Sequence, residues 1–371
     1  MKGNGELKIV NCKLKIENNL VPMLCMGTRR WVALLIMCCA ISFLPQYAAA
    51  QEDDPEKTAV KLITPAADRA IEKATRWLVG EQQDDGSFGS GPYRGNAAVT
   101  ALAGMAFMAG GSTPGRGPYG REVNRCVDYL LANTQESGFI AVPGAASHGP
   151  MYGHGFATLF LAECYGMSRR PELREKLVLA VKLIENTQND DGGWRYQPQK
   201  ADADISVTVC QVMALRAARN AGLFVKNETI DQSIDYVKRS QNADGGFMYM
   251  IAGGESAFAR SAAGVVALHS AGVYKGDELT KGIAYIERFR PAKGVVRRET
   301  YYFYGHYYAV QALWQTGGRH WQQWYPAVRD ELIDRQQEGG SWLSPIGKEY
   351  AAAMALIVLQ MPENHMPIFQ R

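Results

Sequence analysis

Apolar positions recur at helical spacing along most of the chain, in segments of two kinds. In the first kind one face is apolar and the opposite face is charged. Residues 66–79 are an example, because Ala70 and Ala74 lie on one face between charged neighbours. Thr64 and Pro65 precede this segment and are typical of a helix cap and a first-turn proline. The pattern predicts an amphipathic α-helix with a solvent-facing side.

Segments of the second kind are apolar nearly all round and rich in small residues. A helix without a polar face must be buried on most of its sides. Six such segments alternate with the amphipathic ones, which predicts six outer helices around six inner helices. The predicted inner helices are 97–110, 154–166, 206–222, 260–272, 306–317 and 350–361.

A short motif with a central glycine stands between each outer helix and the following inner helix. The four full copies read QQDDGSF, QNDDGGW, QNADGGF and QQEGGSW. Weaker copies occupy 135–139 and 290–294, so the motif glycines are 46 to 54 residues apart. Repetition at such a period indicates a repeat architecture. The four full copies begin at Gln82, Gln188, Gln241 and Gln336.

The last inner segment indicates whether the repeats form an open solenoid or a closed ring. Open solenoids end in atypical repeats with a polar outer face. Residues 351–359 are instead as apolar as the central segments. We therefore predict an all-α fold, a single closed α6–α6 toroid of six helix-pair repeats that spans residues 65–371.

The first fifty residues follow a different pattern. Arg29 and Arg30 precede the apolar run 31–44, and three alanines at 48–50 precede a polar stretch. This order is typical of a secretory signal peptide, and the run is shorter than the ~20 residues of a membrane span. We expect residues 1–50 to be an N-terminal extension with a signal peptide, 51–64 to be a linker, and the protein to be exported to the periplasm or the extracellular space. An uncleaved anchor is the alternative.

Composition narrows the function classes. The formal net charge is +3 for the whole chain but −1 after residue 50, which argues against nucleic-acid binding. The seven cysteines include no Cys-x-x-Cys pair, so neither a zinc ribbon nor a disulfide framework is indicated. Cys126, Cys164 and Cys210 lie in apolar helical patterns and are expected to be buried thiols.

The spacing Gln-x-x-x-Gly-x-Trp/Phe resembles the QW motif of the terpenoid cyclase and protein prenyltransferase superfamily. Within it, segments 152–158, 206–215 and 301–304 are most similar to exported, single-toroid prenyltransferase/squalene-oxidase repeat proteins of bacteria. The resemblance implies that the toroid binds, and cyclises or otherwise transforms, an isoprenoid lipid in an apolar central cavity. It implies contact with a membrane surface only as an open alternative, and the sequence predicts no oligomeric state.

Class II cyclases of this superfamily protonate an alkene with an Asp-x-Asp-Asp motif just before an inner helix. The corresponding stretch here has two acids, so the resemblance makes Asp204 and Asp202 the candidate acid pair. This chemistry needs a protonated carboxylic acid beside a dry, aromatic cavity. The competing interpretation is that Asp204 caps the helix that begins near Ser206.

Aromatic residues and histidines cluster near the starts of two inner helices. Aromatic rings bind isoprenoid chains and stabilise cations, although part of the cluster must serve packing. Arg260, Glu163 and His269 are polar residues on otherwise apolar helices, and they either bond across the rings or face the lumen. The candidate substrate-binding residues are Tyr152, His154, Phe156, Tyr301, Tyr304, His306 and Tyr308.

Three other functions can be compared with this sequence. Protein prenyltransferases bind zinc through an Asp-x-Cys pair, which this sequence lacks, so we expect no metal and no cofactor. A toroid that has lost its chemistry would be a non-enzymatic interaction module. A carbohydrate enzyme of the α/α6 type would need a carboxylate pair across the cavity, for which Asp204 with Glu255 or Glu299 is the candidate.

Overall fold

The computed structural model describes residues 59–168, 170–295 and 301–370, which lie in one compact unit, Asp53–Arg371. Over these residues the chain forms twelve α-helices and no extended strand. The expected signal peptide and most of the linker lie outside the described residues. The outer helices are α1 (Pro65–Gly80), α3 (Gly120–Ala132), α5 (Pro171–Thr187), α7 (Asn227–Arg239), α9 (Asp277–Glu287) and α11 (Gly318–Arg335). The inner helices are α2 (Ala97–Ala109), α4 (Pro150–Met167), α6 (Ile205–Asn220), α8 (Phe258–Ser270), α10 (Tyr302–Thr316) and α12 (Lys348–Gln360).

Burial separates the two rings as the sequence pattern predicts. In α12, every residue from Glu349 to Gln360 is buried. In α1, by contrast, only one face is buried and its charged side chains face solvent. Two inner helices begin four residues before their predicted starts, α4 at Pro150 and α10 at Tyr302. Pro150 is in the first turn of α4, where the fixed φ of proline favours a helix start.

The ring closes by contact between its last and first repeats. Helix α12 packs against α2, and α11 packs against α1. The Gln360 side-chain amide donates to the Ala106 carbonyl oxygen at 3.0 Å, and the Ser90 hydroxyl donates to the Glu349 carboxylate at 3.0 Å. These contacts, together with the helix arrangement, confirm the predicted α6–α6 toroid.

The glutamine of each full motif ties its own turn to the next outer helix. Its side-chain Nε2 donates to the carbonyl oxygen of the motif glycine, four residues on, and to a second carbonyl oxygen in the following outer helix. All eight N···O distances lie between 2.8 and 3.1 Å. The second acceptors are Glu122 in α3, Thr229 in α7, Glu278 in α9 and, across the closing seam, Ala70 in α1.

The motif glycine is required by the same contact. Gly192 has a φ of +94°, which L side chains rarely adopt. A Cβ atom at this position would collide with the Gln232 carbonyl oxygen in α7. The turn therefore approaches the next outer helix as closely as backbone allows.

The motif aromatic is held by the following inner helix. Its backbone N–H donates to a hydroxyl near the start of that helix, from Phe88 to Thr100 at 3.0 Å and from Trp194 to Thr208 at 3.1 Å. Phe247 donates in the same way to Ser261 at 2.8 Å. These three turns thus bond to an outer helix on one side and to an inner helix on the other.

The C-terminal segment 361–370 covers the end of the toroid where the inner helices finish. The Trp314 indole N–H donates to the Phe369 carbonyl oxygen at 2.9 Å, and the Ile368 amide donates to the Glu163 carboxylate at 3.3 Å. Burial raises the pKa of Glu163 to about 7 and lowers that of His269 to about 4. Both residues lie at this covered end, since Glu163 bonds to Ile368 and His269 lines a small pocket together with Ile368 and Phe369.

A helix that spans a membrane must be long and mostly apolar, which is a test for the helices in the described part of the chain. None of them combines the length and the apolar character that a membrane span requires.

The glutamine bridge predicts a specific loss of stability. Gln188→Ala should lower the free energy of unfolding by about 2 kcal/mol, because two hydrogen bonds are lost and the buried Thr229 carbonyl oxygen loses a donor. Chemical denaturation measures this change.

Gln135→Ala is the control, since Gln135 begins a weaker motif copy, lies three residues and not four before its glycine, and is exposed. Its cost should stay within about 0.5 kcal/mol. Equal costs for the two variants would contradict a bridging role for the motif glutamine.

Candidate functional site

A cavity of about 820 Å³ lies at the end of the toroid where the inner helices begin. All six inner helices, or the residues that cap them, contribute to its wall. Exposed residues Ser147, His148 and Tyr301 form its mouth. Eleven aromatic side chains line it: Tyr93, Tyr152, Phe156, Tyr196, Tyr249, Phe258, Tyr285, Phe289, Tyr301, Tyr304 and Tyr350.

Four of the seven predicted substrate-binding residues lie on this wall, namely Tyr152, Phe156, Tyr301 and Tyr304. Tyr304 is fixed there because its hydroxyl donates to the Ser206 carbonyl oxygen at 2.8 Å. Phe156 packs edge-on against Tyr307, with ring centroids 6.0 Å apart. Phe156 is the lining residue of α4 farthest from the start of that helix, so it marks the inner limit of the cavity, which we call the floor, and Tyr307 is buried behind it.

His154 does not reach the cavity, contrary to its predicted role. The Ile140 backbone N–H donates to Nδ1 of His154 at 3.2 Å, and Nε2 lies 3.3 Å from the Ala180 carbonyl oxygen in α5. His154 therefore bonds its motif turn in the way that Thr208 does elsewhere. Burial lowers the pKa of its imidazole to about 4, so the side chain is neutral.

His306 and Tyr308 are also absent from the cavity wall. His306 lies between the two rings and packs on Phe258 at 5.0 Å and on Trp324 at 5.9 Å between centroids. Tyr308 is fully buried behind the wall, where its hydroxyl lies 3.3 Å from Cys210 Sγ. His154, His306 and Tyr308 therefore do not line the cavity. Their positions along each helix direct them toward neighbouring helices.

Two wall residues that the sequence analysis missed form a pair. The hydroxyls of Tyr196 and Tyr249 are hydrogen-bonded to each other. Each tyrosine follows its motif aromatic by two positions, after Trp194 and Phe247 respectively. Their equivalent place in two repeats was a signal that could have identified them.

Asp204 caps helix α6, as one of the two sequence interpretations proposed. Its Oδ1 accepts hydrogen bonds from the backbone N–H groups of Ser206 and Val207, both at 2.9 Å. The side chain is completely buried and is not part of the cavity wall, although its neighbour Ser206 is. Asp204 thus lies directly behind the wall.

The environment of Asp204 favours its protonated form. Burial raises the pKa of this carboxyl to about 6, and the Val207 amide and the charge of Arg195 oppose that shift. The Nε atom of Arg195 is 3.7 Å from Oδ2 of Asp204. The guanidinium also pairs with Asp202, whose side chain is half exposed. Asp202 is therefore an ion-pair partner at the surface and not a second acid at the cavity.

The described part of the wall contains no carboxylate and one arginine, Arg260. The carboxylate pair proposed for a carbohydrate enzyme is not found there, since Asp204 is buried behind the wall and Glu255 is exposed outside it. Glu299 lies outside the described residues. General acid–base hydrolysis of a glycoside needs two carboxyl groups that flank the scissile bond, and the described residues of the wall include no such pair.

A metal site in a protein needs several His, Cys, Asp or Glu side chains close together. No group of three or more His, Cys, Asp or Glu side chains lies close enough together in the described ranges to hold a metal ion. Cys126, Cys164 and Cys210 are buried free thiols. Burial raises the pKa of the Cys210 thiol to about 12, so it remains protonated.

Repeated helix pairs around an aromatic cavity define the class of α/α toroid proteins, and family models identify the group within that class. The model of the squalene-hopene cyclase C-terminal domain matches residues 158–301, and that of the prenyltransferase alpha-alpha toroid domain matches residues 58–179. The chain belongs to the terpenoid cyclase/prenyltransferase superfamily, which the QW motifs predicted.

Solved structures share this fold at low sequence identity. The type II terpene cyclase MstE from Scytonema, in its apo form, is 14% identical with a TM-score of 0.57, over 81% of this chain and 98% of its own. A protein from Actinoplanes is 15% identical with a TM-score of 0.56, over 81% and 99%. An inactive alpha-1,6-mannanase variant of Salegentibacter, in complex with alpha-1,6-mannotriose, is 7% identical with a TM-score of 0.58, over 79% and 98%. No curated protein matches the sequence.

The raised pKa of Asp204 predicts how stability depends on pH. The folded protein holds a proton on Asp204 up to a pH of about 6, whereas the unfolded chain releases it near 3.8. The free energy of unfolding should therefore fall as pH rises through this window, by roughly 3 kcal/mol in total. Asp204→Asn should remove this contribution and keep the cap, because asparagine also accepts from backbone N–H groups.

The measurement is chemical denaturation of wild type and variant across this window. Wild type and variant should both be measured with Glu163→Gln added. Glu163 titrates in an overlapping pH range, and its titration would also lower the free energy of unfolding as pH rises. Asp204→Ala, which removes the cap as well, should cost about 1 kcal/mol more than Asp204→Asn. An unchanged pH slope in Asp204→Asn would contradict the raised pKa.

Proposed function

We propose that this protein, after export, binds an isoprenoid lipid in its aromatic cavity. The observation that carries the proposal is the wall itself, with eleven aromatic side chains around about 820 Å³. Such a volume is within the range of small-molecule sites. Aromatic faces offer a flexible hydrocarbon chain a large apolar contact area without strict geometry.

A structural relative supports this class of ligand. A variant of the cyclase MstE was solved in complex with its substrate geranylgeranyl dihydroxybenzoate, and it is 13% identical to this chain with a TM-score of 0.56. Its ligand carries an isoprenoid chain. The likeness to MstE concerns the fold alone. The support for an isoprenoid ligand comes from the aromatic wall of this chain's own cavity.

Export is supported by the sequence alone. The basic pair Arg29 and Arg30, the apolar run 31–44 and the alanines at 48–50 have the order of a signal peptide. On this proposal the mature chain begins at Gln51.

A catalytic role is the second candidate, and the buried carboxyl of Asp204 favours it. With a pKa of about 6, this group carries a proton in a fraction of molecules near neutral pH. If the protein is an enzyme, it is a class II terpenoid-cyclase-like isomerase with Asp204 as its general acid. We propose lipid binding ahead of catalysis, because Asp204 lies behind the cavity wall and Asp202 forms an ion pair with Arg195.

The binding proposal predicts a lipid that co-purifies with the protein. Native mass spectrometry after mild purification from an exporting host should give a mature chain that begins at Gln51, together with an adduct that organic extraction identifies as an isoprenoid. Ala98→Trp should abolish the adduct, because Ala98 is a small residue on the wall and tryptophan would occupy the cavity.

Ala132→Trp is the matched control, since Ala132 is exposed at the end of outer helix α3. It should leave the adduct unchanged. An empty wild-type cavity that also fails to take up added farnesol would overturn the binding proposal and favour an interaction module.

The catalytic candidate predicts a separate effect of Asp204. If the purified protein converts squalene or a geranylgeranyl lipid, Asp204→Asn should lower kcat by at least about a hundredfold, the range for loss of a general acid. Lipid binding should persist, because Asp204 does not line the cavity. Product analysis by mass spectrometry reports conversion, and a variant with wild-type kcat would remove Asp204 from the mechanism.

A further inference from the structure

Arg260 is the one cationic side chain on the described part of the cavity wall. It lies in the first turn of inner helix α8, two residues after Phe258, and is half-buried. Most of its neighbours on the wall are aromatic or small residues. A guanidinium in such surroundings loses part of its hydration, so an uncompensated charge there has an energetic cost.

Two backbone carbonyl oxygens hold the guanidinium in place. Nε donates to the Phe247 carbonyl oxygen at 3.0 Å, and one terminal nitrogen donates to the Glu255 carbonyl oxygen. Arginine has five N–H donors in a planar fork. Three of the five therefore have no hydrogen-bond acceptor among the described residues.

No carboxylate in the described ranges forms an ion pair with Arg260, which distinguishes it from Arg195, an arginine near the cavity that pairs with Asp202. Asp244, near the same corner, accepts instead from the Gly246 amide at 3.0 Å and the Ser256 hydroxyl at 2.7 Å. Within the part of the chain that the structure describes, Arg260 therefore has no carboxylate at ion-pair distance, although Asp244 lies at the same corner.

We propose that Arg260 binds the anionic head group, a carboxylate or a phosphate, of an amphiphilic isoprenoid whose chain occupies the aromatic cavity. This inference rests on the proposed function, since it names the class of lipid that the cavity takes. A guanidinium fork matches the oxygens of carboxylate and phosphate, and charge-assisted hydrogen bonds of this kind are the strong ones. The preformed hydrogen bonds to Phe247 and Glu255 reduce the rotamer freedom lost on binding.

The test compares three probes that share one chain and differ in the head group: farnesol, farnesoic acid and farnesyl monophosphate. Binding to the mature protein is followed by titration calorimetry below the critical micelle concentration. The two anionic probes should bind at least about tenfold more tightly than farnesol, a difference within the range for hydrogen bonds to a charged group. The stronger of the two anions identifies the head group.

Arg260→Gln should abolish the preference for the anionic probes and leave the affinity for farnesol within about twofold, since the chain contacts are unchanged. Arg260→Lys should keep part of the preference, because a lysine retains the charge without the planar fork. Arg239→Gln is the charge-matched control: Arg239 lies on outer helix α7 and pairs with Asp191, away from the cavity. It should preserve the anionic preference.

Equal affinities of wild type for all three probes would overturn this inference and leave the proposed function in place. A uniform weakening of all three by Arg260→Gln would also overturn it, because it would assign the arginine a purely structural role. Failure of every probe to bind, farnesol included, would overturn the proposed function and this inference together.

Discussion

The bridge from each motif glutamine to the next outer helix is the contact on which the architecture depends. A single amide nitrogen joins the motif turn to a carbonyl oxygen in the neighbouring repeat, and Gln336 makes this contact with Ala70 across the seam. In the three other full copies the turn also bonds to the following inner helix, so there the bridge fixes both rings relative to each other. The arrangement of the inner helices around the cavity is therefore supported by a repeated local interaction.

At the start of α6, one side chain combines the roles of helix cap and candidate proton donor. A helix start needs an acceptor for its unpaired N–H groups, and Asp204 supplies one with Oδ1. The same burial that makes the cap effective raises the pKa of the carboxyl to about 6. A cap and a proton donor therefore use opposite oxygens of one side chain. The structure favours the cap, because the wall separates Oδ2 from the cavity.

The sequence predicted the fold far better than the site, for a physical reason. Periodicity and motif spacing report which face of a helix is buried, and this sufficed for the two rings and their order. Burial between the rings and exposure to the lumen leave the same apolar signature, so His154 and Tyr308 could not be told apart from Tyr152. Tyr196 and Tyr249 were missed because they lie in turns, where helical periodicity carries no information.

The two ends of the toroid differ in their exposure to solvent. Segment 361–370 covers the end where the inner helices finish, and the cavity has its floor at Phe156, with Tyr307 buried behind it. The exposed mouth at Tyr301 is the open side of the cavity in the described structure. On the proposed function, a lipid chain with a charged end enters tail first, because the buried floor offers a charge no solvation. The head group then remains near the helix starts, on the wall that carries Arg260.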